Sequence, residues 1–234
     1  MSNGISVKKR NGRGIEPLDL DKIHVMVEEA TKGLAGVSAS QVEIQSGIQF
    51  YDGITTDEIQ DILIKSASDL ISLDNPNYQF VAARLLLFAT RKSIYGKIRE
   101  LPPLESHIYN CTNIDVYDKE IFDNYSLEEI RKADSYIDHE RDFLFTYAGL
   151  RQVVDKYLVQ DRSSGGVYET PQFMYMMIAL TIFAQYPKET RLNYVRRYYD
   201  AISRHKLNIP TPIMAGVRTP IRQFASCVLV DIDD

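Results

Sequence analysis

Helix-start signals recur along this 234-residue chain and restrict it to a mainly helical fold. Thr55–Glu58 and Ser126–Glu129 have the spacing of a capping box, in which a hydroxyl residue and a later glutamate satisfy each other's backbone N–H groups. Asp19 and Thr170 precede further segments whose apolar residues recur at helical spacing. Residues 96–104 contain two consecutive prolines, which predict a linker between a first unit of four helices and a second helical region.

A basic turn lies near the N-terminus. Asn11-Gly12 is a strong signal for a β-hairpin. Basic residues surround this turn or follow it: Lys8, Lys9, Arg10, Arg13 and Lys22. Cations beside the open N–H groups of a helix start can hold a polyphosphate, but the same pattern is also typical of a solvated surface hairpin. Neither GxxxxGK[ST] nor GxGxxG occurs, which disfavours the common nucleotide-binding folds.

The C-terminal part of the sequence changes character. Residues 209–220 contain three prolines and show no helical period, and residues 224–232 predict an apolar strand. Cys227 lies in this predicted strand, downstream of Arg218 and Arg222. A thiol on a rigid strand beside cations and hydroxyls is suited to redox or nucleophilic chemistry, and a buried structural cysteine is the alternative.

Composition excludes several classes of protein. A net charge of −5 argues against electrostatic binding of nucleic acid along the whole chain. No apolar stretch approaches the length of a membrane span. Two cysteines, Cys111 and Cys227, are too few for a disulfide framework or a Cys/His zinc site. We expect a reduced cytoplasmic protein in which Cys111 is an incidental thiol in a polar loop. His139 lies among charged residues that favour salt bridges at a helix start over acid–base or metal chemistry.

Three separated motifs resemble one known family. Residues 210–229, read as a unit, are similar to the segment that enters the catalytic barrel of class Ia ribonucleotide reductase large subunits. Residues 7–12, 20–23 and 55–56 resemble the ATP-cone, the regulatory domain of that family. Matches to its helical domain lie at 137–142, 157–158 and 189–192. The resemblance extends over essentially the whole chain and is greatest to the T-even phage type.

The resemblance implies a fold class and a division of the chain. The fold is mainly α. An ATP-cone of a β-hairpin plus four helices is expected at 1–95, and a helical domain at 96–209. Residues 210–234 would then form the leading loop and first strand of a ten-stranded α/β barrel that another chain completes.

The resemblance also implies a reaction and its residues. The family reduces ribonucleoside diphosphates to 2′-deoxyribonucleoside diphosphates by thiyl-radical chemistry. Cys227 matches the first cysteine of the redox pair, Thr211 and Ser226 match substrate-binding positions, and Asp234 matches the first residue of the specificity-effector site. Positions matching nucleotide contacts in the cone are Lys9, Arg10, Glu16, Lys22, Thr56 and Lys92. ATP and dATP are the implied effectors.

One departure from the family pattern concerns inhibition. Many relatives have a nucleotide-contacting histidine where this chain has Gln60. We therefore expect the cone to bind ATP or dATP while inhibition by dATP is weak or absent.

The implied partners follow from what lies beyond Asp234. The family's thiyl cysteine, second redox cysteine and catalytic glutamate are all downstream, so we expect this chain to be inactive alone and to need the C-terminal half as a second polypeptide. The other expected partners are a radical-generating small subunit with a di-iron tyrosyl radical, and thioredoxin or glutaredoxin as reductant. We expect no metal in this chain, no nucleic acid or membrane partner, and location in the cytoplasm, that of the host if the chain is phage-encoded.

Two alternatives remain open at this point. A stand-alone nucleotide-sensing regulator could keep the cone without catalysis, although such a protein has no need of Cys227 or of a substrate loop. The second alternative is that the chain is a simple truncation of a longer protein.

Overall fold

The computed structural model describes residues 4–9, 14–161, 163–225, 227 and 229–230. The strands in this part of the chain are β1 (Ser6–Lys8), β2 (Ile15–Pro17) and β3 (Ile54–Thr55). The α-helices are α1 (Leu20–Thr31), α2 (Ala39–Gly47), α3 (Thr56–Asp69), α4 (Tyr78–Tyr95), α5 (Leu104–Asn113), α6 (Glu120–Asn124), α7 (Leu127–Asp134), α8 (Tyr147–Gln152), α9 (Pro171–Ile182), α10 (Lys188–Ser203) and α11 (Thr211–Gly216). A 3-10 helix (His139–Leu144) precedes α8, and a π-helical turn (Val153–Tyr157) follows it.

The chain divides into two compact units. The first contains residues 1–92 and 143–151, and the second contains residues 93–142 and 152–234. The first unit therefore includes a segment that is distant in sequence from the rest of it, which the expected boundary at residue 95 does not anticipate.

A small sheet opens the first unit, with strand order β2-β1-β3. β1 pairs antiparallel with β2, opposing Val7 to Glu16, so the predicted hairpin is confirmed. Its Asn11-Gly12 turn lies outside the described residues. β3 pairs parallel with β1, opposing Val7 to Ile54, and the sequence did not predict it because it has only two residues. Since α3 begins at Thr56, directly after β3, this pairing places the start of α3 beside β1.

The core of the first unit forms around α4. Along α4, Val81 and Leu87 are fully buried, as is Val27 of α1. Phe143, from the distant segment, lies edge-to-face with Phe88 of α4 at a ring separation of 6.2 Å. Predicted helix starts in this unit are confirmed: Asp19 caps α1, and the capping box at Thr55 is complete.

Helix α9 is the centre of the second unit. It is apolar on all sides, and every residue from Pro171 to Leu180 is buried, as expected for a helix surrounded by others. Helix α10 packs along α9, and the Tyr199 hydroxyl donates to Gln172 Oε1 at 2.7 Å. The predicted capping box at Ser126 opens α7.

Two predictions in the second unit are wrong in local structure, and the strand predicted at 224–232 is not formed in the described part of that segment. Residues 211–216 form helix α11 instead of a loop, because Pro210 and Pro212 lie at its cap and first turn, where no N–H group is needed. Cys111 lies in helix α5 rather than in a loop. No strand occurs in the described residues from 221 to 230, since a strand needs a hydrogen-bonding neighbour and this segment pairs with none of the strands described.

Within the described residues, no helix combines the length and the apolar character needed to cross a membrane.

Candidate functional site

The first group of candidate residues lies where the β1–β2 hairpin meets α1. Lys9 Nζ lies 2.6 Å from Glu16 Oε2, and both side chains are partly exposed. The hydrogen bond from Lys9 lowers the pKa of Glu16, and the nearby charge of Lys22 acts in the same direction. Three of the predicted nucleotide contacts therefore form one charged cluster.

Lys22 is held at the start of α1. Its backbone N–H donates to the capping Asp19 Oδ1 at 3.2 Å, and its Nζ lies 3.1 Å from Asp19 Oδ2. The hydrogen bond with Asp19 raises the pKa of Lys22, so the side chain stays cationic. Each lysine of this cluster already faces a carboxylate that an incoming anionic group could replace.

The other predicted cone residues occupy different elements. Thr56 is the first residue of α3 and is half-buried beside the end of β1, because Lys8 opposes Thr55 in the sheet. Gln60 lies one turn further along α3 and is buried. Lys92 is exposed in the last turn of α4. Arg10 lies outside the described residues.

The second group of candidates lies at the C-terminal end of the chain. Thr211 is exposed in the first turn of α11, and its Oγ1 is 3.2 Å from the Tyr157 hydroxyl. Cys227 is exposed and does not lie on a strand. The other two candidates of this group, Ser226 and Asp234, lie outside the described residues.

The two arginines expected near Cys227 have other partners. Arg222 Nη2 lies 2.8 Å from Asp118 Oδ2 and also contacts Glu120. Arg218 is fully buried and paired with Glu169. Carboxylates elsewhere in the unit therefore pair with both arginines.

A buried polar cluster surrounds Glu169, which the sequence analysis did not single out. Its carboxylate accepts from Arg218 Nε at 2.9 Å, from the Val159 backbone N–H at 2.7 Å and from the Tyr117 hydroxyl. Since the hydroxyl hydrogen of Tyr117 goes to Glu169, His107 donates from Nε2 to the Tyr117 oxygen at 3.0 Å. Glu169 and Arg218 are both fully buried, so each neutralises a charge that would otherwise be costly inside the unit.

Burial also controls the titration of the groups beside this cluster. It lowers the pKa of His107 to about 4 and raises the pKa of Cys111 to about 12. His107 is therefore neutral at pH 7 and stacks on Phe173 at a ring separation of 4.2 Å. The Cys111 thiol remains protonated, which fits its predicted role as an incidental thiol.

The charged segment around His139 forms ion pairs. Arg141 lies 2.7 Å from Asp200 and 3.3 Å from Asp138, and buried Asp142 accepts from Gln172 Nε2 at 2.9 Å. The ring of His139 packs against Phe173. In the part of the chain that the structure describes, no group of three or more His, Cys, Asp or Glu side chains is arranged to hold a metal ion.

Comparison with known proteins places two domains on this chain. A family model described as "ATP cone domain" matches residues 5–93, and one described as "Ribonucleotide reductase, all-alpha domain" matches residues 143–222.

Three relatives illustrate the match at the level of whole sequences. Ribonucleoside-diphosphate reductase 1 subunit alpha of Escherichia coli K12 is 49% identical over all of this chain, which covers 30% of that protein. The corresponding subunit of Haemophilus influenzae is 50% identical over all of this chain and 31% of its own length. That of Enterobacteria phage T4 is 44% identical over 98% of this chain and 30% of its own length. The chain thus spans about 30% of the relatives it matches, and it shares fewer residues with the phage subunit than with these two bacterial ones.

Proposed function

This chain matches the N-terminal region of class Ia ribonucleotide reductase alpha subunits, and we propose that it supplies the regulatory and helical parts of such an enzyme. The enzyme would reduce ribonucleoside diphosphates to their 2′-deoxy forms. The observation that carries this proposal is the order of two matched domains, an ATP cone followed by the reductase all-alpha domain. The proposed division is a cone at 1–95, a helical domain at 96–209 and the start of the barrel at 210–234.

The first part of the proposal is that the cone binds ATP or dATP as allosteric effectors. The proposed contacts are Lys9, Arg10, Glu16, Lys22, Thr56 and Lys92. The charged cluster supports this, because a triphosphate can replace Asp19 as the partner of Lys22 and can share Lys9 with Glu16. Gln60 would take the place of a histidine, and weak or absent dATP inhibition is proposed on that ground.

Nucleotide binding can be measured on this chain directly. We expect Lys9→Ala to weaken ATP binding by about tenfold in isothermal titration, since a charged phosphate contact is lost. Lys65→Ala is the matched control, because Lys65 is an exposed lysine in the same unit that pairs with Asp69 at 2.7 Å. Equal ATP affinity in the Lys9 and Lys65 variants would contradict the proposed site.

The second part of the proposal is that residues 210–234 begin the catalytic barrel. The supporting observation is a group of apolar side chains left exposed in a segment without regular structure: Ile221, Phe224, Leu229 and Val230. The longer relatives contain sequence beyond the matched part that could cover these side chains and complete the ten strands. We propose that a second polypeptide provides it.

In the proposed reaction, Cys227 and a second cysteine on that polypeptide supply two electrons. The two thiols become a disulfide while the ribose 2′-hydroxyl leaves as water, and thioredoxin or glutaredoxin then reduces the disulfide. Thr211 and Ser226 would bind the substrate, and Asp234 would contact the specificity effector. A small subunit with a di-iron tyrosyl radical would start the chemistry. The proposed location is the cytoplasm.

Reconstitution tests the whole proposal. This chain is co-expressed with the remaining alpha-subunit sequence, mixed with the small subunit and assayed for reduction of a ribonucleoside diphosphate. We expect association on size exclusion and activity that Cys227→Ser abolishes while association is retained. An absence of both association and activity would refute the proposal, and full activity in Cys227→Ser with the physiological reductant would refute the redox assignment.

A stand-alone nucleotide-sensing regulator is the other candidate function. It would account for the match at residues 5–93 but leaves the reductase match at 143–222 without a role. The reductase reading accounts for both.

A further inference from the structure

Arg218 connects two backbone segments inside the second unit. Its guanidinium donates to the carbonyl oxygen of Met214 in α11, and its Nη2 donates to the carbonyl oxygen of Tyr157 at 2.9 Å. Tyr157 is the last residue of the π-helical turn. One fully buried side chain therefore fixes the position of α11 relative to the end of that turn.

Thr211 is connected to both of these segments. It begins α11, and its hydroxyl is 3.2 Å from the hydroxyl of the same Tyr157 whose carbonyl Arg218 holds. A helix of six residues is too short to be stable by itself, so its orientation depends on tertiary contacts. The bond from Arg218 to Met214 and the burial of Met214 are two such contacts.

Glu169 makes the buried position of Arg218 possible. An uncompensated guanidinium in this environment would be costly, and Glu169 neutralises it through two of its N–H groups. The same carboxylate is held in turn by the Val159 N–H and the Tyr117 hydroxyl. A side chain held by this many donors has one orientation, which it transmits to Arg218.

We propose that Glu169 and Arg218 are a positioning pair that orients Thr211, and thereby sets the affinity of the enzyme for its ribonucleoside diphosphate substrate. The inference rests on the proposed function, under which Thr211 binds substrate. Neither member of the pair touches the substrate; both act through α11 and Tyr157.

The first test uses this chain alone. Arg218→Lys keeps the charge opposite Glu169, but a single ammonium lacks the planar fork of the guanidinium and cannot reach both carbonyl oxygens while it pairs with Glu169. We expect hydrogen exchange of the α11 amides, followed by mass spectrometry, to accelerate by about tenfold or more, which corresponds to a loss of about 1.4 kcal/mol.

Arg191→Lys is the matched control for this exchange measurement. Arg191 is also buried, pairs with Glu129 through two bonds of 2.7 and 2.6 Å, and donates to the carbonyl oxygen of Ala184 at 3.2 Å. Its partners lie far from α11 in the sequence. We expect no change of exchange in α11 in this variant, and unchanged exchange in a folded Arg218→Lys variant overturns the proposal.

The second test uses the reconstituted enzyme. We expect Arg218→Lys to raise the KM for the ribonucleoside diphosphate by about tenfold with kcat nearly unchanged, because uniform substrate binding is lost. Tyr157→Phe removes only the contact to Thr211 and should raise KM less, so it keeps the test valid if Arg218→Lys folds poorly. Arg191→Lys should leave KM unchanged.

The two tests separate failure of this inference from failure of the proposed function. Faster exchange in α11 with an unchanged KM overturns the positioning role while the reductase function stands. A wild-type mixture without reductase activity overturns the proposed function, and the link from α11 to substrate affinity falls with it.

Discussion

The hydroxyl of Tyr117 offers the clearest test of the buried cluster around Glu169. Tyr117 is fully buried, donates to an ionised carboxylate and accepts from His107 Nε2 at 3.0 Å. Tyr117→Phe deletes that single oxygen and conserves the ring. Glu169 keeps its bonds to Arg218 and Val159, so the loss is confined to the hydroxyl and its two partners.

The size of the effect follows from the charges involved. A hydrogen bond to a charged group contributes about 1.5–3 kcal/mol, and a buried N–H left without an acceptor costs about 1–3 kcal/mol. We therefore expect Tyr117→Phe to lower the free energy of unfolding by about 3 kcal/mol or more. Tyr125→Phe is the control, because Tyr125 is also buried in the second unit but donates to a neutral acceptor, the carbonyl oxygen of Leu180, at 2.8 Å. Its expected loss is about 1 kcal/mol.

The assay is urea denaturation at pH 7, followed by far-ultraviolet circular dichroism. Both tyrosines lie in the second unit, so both losses are read from the same transition. Equal losses in the two variants would refute the reasoning, because the charged acceptor and the His107 contact would then contribute nothing.

Three further predictions concern titration and thiol reactivity. Burial lowers the pKa of His107 to about 4 from an ordinary 6.5, so His107 in the unfolded chain takes up its proton first as pH falls. The free energy of unfolding of the second unit should therefore fall by up to about 3 kcal/mol between pH 6.5 and pH 4. Urea midpoints at several pH values measure this, with His107→Asn as the control. The hydrogen bond with Glu43 raises the pKa of His24 above 6.5. The contact of protonated His24 with Glu43 therefore stabilises the fold fully below about pH 6.5, and this stabilisation is lost as pH rises through the pKa of the folded state. NMR titration of the His24 ring would follow the change. Iodoacetamide should label exposed Cys227 in the folded chain and Cys111 only after denaturation, as peptide mass spectrometry would show.

Each of these predictions has an outcome that contradicts it. The same acid destabilisation in wild type and in His107→Asn would assign the effect to other groups. A His24 midpoint at or below 6.5, or one unchanged in Glu43→Gln, would contradict the ion pair. Labelling of both cysteines at one rate in the folded chain would contradict the burial of Cys111.

Local signals in the sequence predicted most of the helices. Asp19, Thr55 and Ser126 do cap α1, α3 and α7, because a cap depends on residues three positions apart. Two elements were missed for local reasons. β3 is too short to show a period, and the prolines at the start of α11 are equally typical of a loop.

The buried cluster could not be predicted in the same way. Glu169 and Arg218 are 49 positions apart, and each residue alone is most often exposed, so neither gives a local signal. The candidate cone residues are easier, since Lys9 and Glu16 are brought together by a hairpin whose turn is evident in the sequence. The assignments of all these candidate residues to nucleotide, substrate or redox roles stay predictions, and Arg10, Ser226 and Asp234 lie outside the described residues.

The burial of Glu169 with Arg218 has a consequence for how sequences of this kind can diverge. Replacing either residue alone leaves an unpaired charge inside the unit, which costs about 3–5 kcal/mol, whereas replacing both by apolar residues of similar volume can be nearly neutral. Divergence at positions 169 and 218 therefore has to proceed through paired changes. Two positions that are 49 residues apart in the sequence are therefore expected to change together in related sequences.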